Sequence, residues 1–260
     1  MELSIFQVDA FTNKVFSGNP AAICPLTEWL PDATLQSIAA ENNLAETAFF
    51  VGRDDRFQLR WFTPVCEVDL CGHATLASAH VLFTELNART NTLHFYTNAG
   101  ELVVTRDGEL LRTDFPSRPP VAVNGQRALM EALGGPEPVE VLAARDYLVR
   151  YRCATDMRAL APNMELLKQL DRFAVIVTAP GSDCDFESRF FAPAKGVPED
   201  PVTGSAHCTL IPYWAKELGK TVLHARQASA RGGELFCELL GDRVTIAGHA
   251  VLFLKGQVRF

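Results

Sequence analysis

The sequence predicts a mixed α/β (α+β) fold of two similar lobes, each a curved mixed β-sheet or barrel around a central helix. Two long apolar segments, Gly72–Glu85 and Gly204–Leu218, have helical spacing, and the first is apolar nearly all round, as is typical of a buried helix. Each follows a Phe-x-Pro segment and precedes a Leu-His pair and then Gly-Glu-Leu. Gly204 follows Gly72 by 132 residues, and three echoes in the same order indicate a duplicated lobe.

In the first half of the chain, runs of β-branched and aromatic residues bounded by turn residues predict strands. A helix is predicted over Ala33–Asn43, because Leu35, Ile38 and Ala39 have helical spacing and Asn42-Asn43 suits a C-cap. The predicted strands lie in Ser4–Cys24 (two strands around a polar loop), Thr47–Val51, Phe57–Phe62, Leu93–Tyr96, Glu101–Thr105 and Glu109–Asp114.

The second half begins with a proline-rich stretch, Pro116–Pro120, which predicts a linker. A helix is predicted next, over Val123–Leu133. The predicted strands lie in Val139–Leu142, Asp146–Arg150, Phe173–Thr178, Ser188–Ala192, Glu234–Leu239 and Val244–Leu254. We therefore expect an N-terminal lobe over residues 1–115 and a C-terminal lobe over 116–260, with return of the last strand to the N-terminal lobe as an alternative.

The composition is that of a globular protein, with 48% hydrophobic and 21% charged residues. The net charge of -7 and the lack of a Lys/Arg cluster argue against nucleic acid or an anionic membrane as a partner. The longest segments without charge, Leu70–Thr84 and Pro201–Ala215, are shorter than the roughly 20 residues that span a bilayer. We expect no membrane partner.

The seven cysteines are scattered without CxxC or CxH spacing, and the six histidines show no HxH or HxxxH pattern. This distribution favours reduced thiols over disulfides or a zinc site. The first residues lack the basic-then-apolar layout of a signal peptide. We therefore expect a cytoplasmic protein without a bound metal.

The starts of the two apolar helices are candidate binding sites. A helix N-terminus presents unpaired backbone N–H groups and partial positive charge, which favour carboxylates and phosphates. If Gly72 and Gly204 faced one cleft, their helices would hold a small anion. The alternative is that both glycines only permit tight turns into core helices.

Three polar side chains near these starts are further candidates. His73 could donate to a substrate oxygen, and the helix N-terminus is expected to lower its pKa, although a capping or core role is the alternative. Glu46 lies in an apolar stretch where a carboxylate needs a partner if buried, so it suits a general base or, alternatively, a surface strand start. Asp200 precedes Pro201 and fits either a turn or a ligand contact.

Several motifs resemble the PhzF-like family of phenazine-biosynthesis isomerases, and they occur in the family order over most of the chain. They are specific together, although any one alone would be weak. These motifs are Phe6-Gln7-Val8-Asp9-Ala10-Phe11, Gly18-Asn19-Pro20-Ala21, Asn43-Leu44-Ala45-Glu46-Thr47, Cys71-Gly72-His73-Ala74-Thr75 and Glu199-Asp200-Pro201-Val202-Thr203-Gly204-Ser205-Ala206.

The resemblance implies a diaminopimelate-epimerase-like fold with the site between the lobes, no cofactor, a small carboxylate-bearing substrate and a homodimer. It also implies an isomerase in which one glutamate shifts a proton within an amino acid-like or cyclohexadiene substrate. Glu46 matches that catalytic glutamate. The residues that match the substrate-binding surroundings are Gly72, His73, Asp200, Gly204 and Ser205.

Related two-thiol racemases place Cys-Gly at both helix starts, whereas this sequence has Cys71-Gly72 and Thr203-Gly204. Racemisation with two bases on opposite faces of a carbon is therefore disfavoured. Two alternatives remain open: a one-base lyase or racemase-like enzyme that uses Cys71, and a non-catalytic binding protein on the same fold.

Overall fold

The computed structural model describes residues 2–124 and 126–260 of the chain. These residues form two compact units. One unit comprises Met1–Asp114 together with Ala247–Phe260, and the other comprises Phe115–Ile246. Both contain strands and helices in a mixed α/β arrangement.

The first unit carries strands of mixed direction and two helices of more than one turn. Its elements, in chain order, are β1 (Glu2–Ala10), β2 (Asn19–Leu26), α1 (Asp32–Asn42), β3 (Glu46–Arg53), β4 (Arg56–Phe62), β5 (Glu67–Val68), α2 (Gly72–Thr84), β6 (Thr92–Thr97), β7 (Gly100–Asp107) and β8 (Leu110–Pro116).

These strands form a sheet in the order β1-β2-β3-β4-β6-β7-β8. The pairs β2–β3 and β4–β6 are parallel and the others are antiparallel. Parallel neighbours need a crossover connection, and α1 and α2 provide the two crossovers.

The two faces of this sheet are covered by different helices. α2 is buried along ten of its positions and packs against β1, β2 and β3, so its apolar surface is enclosed by sheet as expected. α1 contributes Leu35 and Ile38 to a second core, in which they pack with Phe49 and Phe62 of the sheet. Asn43 closes α1 in the left-handed conformation, with φ 49° and its N–H donating to the Ala39 carbonyl.

The second unit follows a similar plan. Its elements, in chain order, are β9 (Val121–Ala122), α3 (Arg127–Leu133), β10 (Glu140–Ala143), β11 (Tyr147–Arg150), α4 (Ala154–Arg158), α5 (Met164–Leu167), β12 (Val175–Pro180), β13 (Phe186–Phe191), a 3₁₀ turn (Pro193–Lys195), α6 (Gly204–Leu218), β14 (Val222–Gln227), β15 (Gly233–Leu240) and β16 (Arg243–Gly248). β17 (Ala250–Arg259) then pairs antiparallel with β1 in the first unit.

The strand connections of the two units repeat. In the second unit the order is β9-β10-β11-β12-β13-β14-β15, with β11–β12 and β13–β14 parallel. α6 lies between β13 and β14 in the chain, as α2 lies between β4 and β6. The predicted duplication of one lobe plan is therefore confirmed.

The middle of α6 contains Pro212, which has no N–H to donate to the carbonyl four residues earlier. That carbonyl belongs to Cys208, and it accepts instead from the backbone N–H of Arg118 at 2.8 Å. The proline-rich segment after β8 is thereby hydrogen-bonded to the centre of α6. The Cys208 carbonyl oxygen, which Pro212 leaves without a donor inside the helix, therefore still has a hydrogen-bond partner.

Some predicted boundaries are wrong. The helix predicted over Val123–Leu133 begins at Arg127, because the N–H of Val123 donates to the Val141 carbonyl of β10 and so extends the pairing of β9. Gly125 of the predicted helix lies outside the described residues. The run Val244–Leu254 is two strands, β16 and β17. β14 and the short helices α4 and α5 were not predicted.

Candidate active site

Glu46, Cys71 and His73 form a compact polar cluster in the first unit. His73 Nε2 lies 3.1 Å from Glu46 Oε2, and His73 Nδ1 lies 3.5 Å from Cys71 Sγ. The side chain of His73 is 6% exposed and that of Glu46 is 17% exposed, so Glu46 has more contact with solvent than His73. Potential proton donors and acceptors are thus in contact within an apolar surrounding.

The start of β3 and the start of α2 bring the cluster together. Glu46 is the first residue of β3, directly after the turn that ends α1. Cys71 is the N-cap of α2 in an extended conformation, and its carbonyl accepts from the Thr75 hydroxyl at 2.6 Å. His73 lies in the first turn of the same helix. The side chains therefore converge although they are far apart in sequence.

Asn19, at the start of β2, completes the surroundings of the imidazole. Its side-chain amide nitrogen lies 3.2 Å from His73 Nδ1, and Asn19 is fully buried. Because the oxygen and nitrogen of an amide exchange places by a half-turn, Asn19 can match either protonation state of Nδ1. Asn19 therefore holds the ring with Nε2 directed towards Glu46.

One oxygen of Glu46, Oε2, is buried beside His73. Its polar contact within the described residues is the ion pair of 3.1 Å with His73 Nε2. Oε2 has a free lone pair for a proton from a ligand.

The protonation of His73 differs from the expectation. Burial lowers its pKa, whereas the charge of Cys71, when that residue is a thiolate, and the charge of the Glu46 carboxylate raise it, and the net effect places the pKa of His73 well above the usual 6.5. The prediction that the helix N-terminus would favour neutral imidazole is therefore wrong, because groups that folding places beside the ring raise its pKa. At neutral pH we interpret His73 as an imidazolium beside the Glu46 carboxylate.

Cys71 is a thiol under the same conditions. Burial raises the pKa of Cys71 to about 11, and the negative charge of Glu46 adds to the shift. The positive end of α2 does not overcome these effects. The negative partner of the His73 imidazolium is thus Glu46.

This protonation state predicts unequal thiol reactivity. At pH 7 we expect iodoacetamide to modify the exposed Cys66 and Cys153 well before the buried, protonated Cys71. Peptide mapping by mass spectrometry after timed quenching measures the three rates. Modification of Cys71 as fast as Cys66 in the folded protein would contradict the assignment of a buried thiol.

The start of α6 in the second unit has different chemistry. Thr203 is the N-cap, its hydroxyl donates to Asp200 Oδ2 at 2.5 Å, and its backbone N–H donates to Gln227 Oε1 at 2.8 Å. Gln227, which is fully buried, also donates to the Asp200 carbonyl at 2.8 Å. Asp200 and Thr203 are therefore held in one hydrogen-bonded loop that sets the start of the helix.

Ser205 lies in the first turn of α6 beside a guanidinium. Arg145 Nη2 donates to Ser205 Oγ at 3.3 Å and to Asp146 Oδ2 at 2.9 Å. Gly204 is buried at the helix start. The predicted residues Asp200, Gly204 and Ser205 thus share one helix start within the second unit.

His207, one turn into α6, is a buried histidine of the opposite kind. Its Nδ1 donates to the Thr203 carbonyl at 2.8 Å, as Thr75 does to Cys71 in α2. Burial lowers the pKa of His207 to about 4, so it is neutral at pH 7. The two helix starts therefore combine a charged histidine in one unit with a neutral one in the other.

A protein-family model matches the chain over residues 8–256, and its description is phenazine biosynthesis-like protein. The chain belongs to this family. The predicted family resemblance is confirmed over nearly the whole chain.

Two known proteins are similar to this chain over nearly its whole length. An uncharacterized isomerase of Pseudomonas aeruginosa is 54% identical over 99% of this chain and 99% of its own. A crystal structure of a PhzF-family phenazine biosynthesis protein from Enterococcus faecalis has 46% identity and a TM-score of 0.97, with 100% of both chains covered.

A more distant structure is informative about the fold alone. A predicted epimerase from Pseudomonas aeruginosa has a TM-score of 0.77 and 21% identity, with 98% of this chain and 99% of that chain covered. The mixed α/β, epimerase-like fold expected for this phenazine biosynthesis-like protein is confirmed.

The structure divides the predicted site residues between the two units. In the first, Gly72 opens α2 beside the contact of Glu46 with His73. Sequence reasoning missed Asn19, Gln227 and Arg145 as partners of site residues. Asn19 could have been identified from the sequence as a polar residue directly before an apolar strand. No sequence feature distinguished Gln227 or Arg145.

Donor atoms of Glu46, Cys71 and His73 all lie within 4.8 Å of one another, so the cluster has the composition of a metal site. The ligand spacings sought in the sequence cannot reveal it, because its members come from β3 and the start of α2. Within residues 2–124 and 126–260, no helix is both long and apolar enough to cross a membrane.

Open cavities occur elsewhere in the first unit. Cavities of about 580 Å³ and about 650 Å³ share the hairpin residues Asp54, Asp55 and Phe57 in their linings. Neither lining includes Glu46, Cys71 or His73. We assign the chemistry to the polar cluster, because it places a carboxylate, an imidazole and a thiol in contact.

Proposed function

We propose that the protein is an isomerase that moves a proton within a small carboxylate-bearing substrate. Membership of the phenazine biosynthesis-like family and a relative named as an isomerase support the reaction class. The observation that carries the proposal is the contact of 3.1 Å between the buried Glu46 Oε2 and His73 Nε2.

In the proposed reaction, Glu46 is the acid–base group. Its carboxylate takes a proton from an acidic C–H bond of the substrate, and the C–H electron pair enters the conjugated system. The same carboxyl group then returns the proton to another carbon, so a double bond shifts and Glu46 is regenerated. The step is redox-neutral and complete with one proton carrier, so we propose that it needs no cofactor.

The proposed role of His73 is to stabilise charge. An imidazolium beside the reacting carboxylate favours negative charge that develops on a substrate oxygen. The N–H groups at the start of α2, at Gly72, are suited to a substrate carboxylate. Substrate binding by Asp200, Gly204 and Ser205 stays a prediction. Formation of a homodimer also stays a prediction.

The experiment begins with a screen of amino acids and cyclohexadiene carboxylates for thermal stabilisation of the protein. Compounds that stabilise it are then followed by proton NMR in D2O. We expect at least one of them to lose a C–H signal or form a double-bond isomer in the presence of the protein. Tight binders whose C–H signals persist unchanged would support the alternative of a non-catalytic binding protein.

A second candidate is a one-base enzyme that uses Cys71. The contact of 3.5 Å between Cys71 Sγ and His73 Nδ1 favours it, because such a pair can form a thiolate–imidazolium. The raised pKa of Cys71, about 11, argues against it.

Substitution of Cys71 separates the two candidates. We expect Cys71→Ser to keep turnover within about tenfold of the parent, or roughly 1.4 kcal/mol, because the residue acts only as a small N-cap. Steady-state kinetics with the substrate from the screen, together with circular dichroism, provides the measurement. A loss of several orders of magnitude in a folded variant would favour the thiol base.

A further inference from the structure

The cluster at the start of α2 has a second chemical capacity. We propose that Glu46, Cys71 and His73 bind one zinc-type divalent cation through Oε2, Sγ and Nε2, with the fourth position open to solvent or ligand. Thiolate, imidazole and carboxylate are the three side-chain ligand types that zinc prefers. The site is composed of residues that the proposed isomerase reaction uses for another purpose.

The distances are close to those of a zinc site. Bonds of about 2.0–2.3 Å in tetrahedral geometry separate ligand atoms by roughly 3.3–3.8 Å. Here Nε2 lies 3.1 Å from Oε2 and 4.0 Å from Sγ, and all donor atoms of the cluster lie within 4.8 Å. Because Sγ lies 3.5 Å from Nδ1 and 4.0 Å from Nε2, rotation of the thiol and the imidazole completes the geometry.

The surroundings support coordination by His73 through Nε2. Asn19 contacts Nδ1, the nitrogen that faces away from Glu46, and ligating histidines are commonly oriented by a partner on the other ring nitrogen. Cys71 and His73 are fixed by the first turn of a buried helix. Since Glu46 is 17% exposed, an ion has a route to the cluster along its carboxylate.

The charges also match. With Cys71 as thiolate and His73 neutral, the three ligands carry a charge of about minus two, which a divalent cation neutralises; the displaced protons pass to the buffer. Magnesium and calcium prefer about six or more oxygen ligands, whereas this cluster provides a single carboxylate. The site therefore selects zinc-like over alkaline-earth ions.

Binding of zinc would withdraw Oε2 from proton transfer, so the ion is an inhibitor. This consequence, unlike binding itself, rests on the proposed function of Glu46. The cluster then connects turnover to the availability of free zinc.

The test uses Co²⁺ as a spectroscopic substitute for zinc on the full chain, first stripped of metal with a chelator. We expect one equivalent of Co²⁺ to produce a thiolate-to-metal charge-transfer band and visible bands of tetrahedral intensity, which Zn²⁺ abolishes and excess Mg²⁺ does not. Absence of the charge-transfer band in the parent protein would overturn the proposal.

Variants assign the signal to the cluster. Cys66→Ser/Cys153→Ser, which removes the exposed thiols, should keep the band, whereas Cys71→Ser should lose it. Glu46→Gln should weaken Zn²⁺ affinity at least tenfold by calorimetry, and circular dichroism checks that each variant is folded. Persistence of the band in Cys71→Ser, or its loss in the double variant, would show that the metal binds elsewhere.

The outcome is independent of the isomerase proposal. If Co²⁺ fails to bind while Glu46→Gln abolishes turnover, the metal site is wrong and the function stands. If Co²⁺ binds at Cys71 while Glu46→Gln turns over normally, the metal site stands and the proposed mechanism is wrong.

Discussion

Glu46→Gln is expected to reduce turnover by at least about 10²–10⁴-fold while ligand affinity changes little. Glutamine keeps the size of the side chain and a hydrogen-bonding oxygen beside His73, but it cannot carry a proton, and general acid–base catalysis supplies a factor of that order. The measurement is kcat for the substrate from the screen, with affinity from calorimetry and folding from circular dichroism.

Two further variants sharpen this result. Glu41→Gln removes an exposed carboxyl group of α1 and is the matched control, so its turnover should equal that of the parent. Glu46→Asp keeps the carboxyl group but shortens its reach, and we expect intermediate activity because small displacements of a catalytic group are costly. Parent-like turnover in Glu46→Gln would make Glu46 a structural residue.

The second large effect is expected in acid stability, at His207. Its pKa is about 4 in the folded protein against an ordinary value near 6.5, so below pH 6.5 the unfolded chain binds a proton that the folded chain does not. Stability is therefore lost as pH falls from 6.5 to about 4. The shift of about 2.5 units corresponds to about 3 kcal/mol over that range.

The measurement compares urea unfolding of the parent and His207→Gln at pH 7 and at pH 4.5. Glutamine can donate to the Thr203 carbonyl but does not titrate, so the parent should lose more stability on acidification than the variant. Carboxyl groups that titrate in this range are common to both proteins and cancel. Equal pH dependence in both proteins would contradict the burial of a neutral His207.

His73 contributes in the opposite sense and over a different range. Its folded-state pKa lies well above 6.5, so its contribution is fully present below pH 6.5 and is lost as pH rises through the folded value. The acid range that tests His207 is thus unaffected by His73.

The sequence predicts the fold of this protein well, because the fold depends on local patterns. Apolar spacing located α2 and α6, and the echo between their flanking motifs indicated the duplication. The prediction failed where a distant partner decides the structure. Val121 and Ala122 form a strand only because β10 lies beside them.

The candidate site was only partly predictable for the same reason. Motifs identified Glu46 and His73, but the pKa of His73 depends on Cys71 and also on a contact between β3 and α2 that no sequence spacing encodes. Neutral His207 had no distinguishing pattern either. Thr47 pairs with Phe62 and Val175 with Phe191, the two phenylalanines of the Phe-x-Pro echo. Ala174 of the second unit therefore corresponds to Glu46 of the first, and the carboxylate has no duplicate at that position.

The hydrogen bond from Arg118 to the carbonyl that Pro212 leaves free has a consequence for the order of folding events. The acceptor is correctly aimed only after the middle turns of α6 have formed, and its donor lies far away in sequence. Closing such a large loop costs entropy that local helix formation does not. We therefore expect the segment after β8 to become ordered late in folding, after α6 has formed.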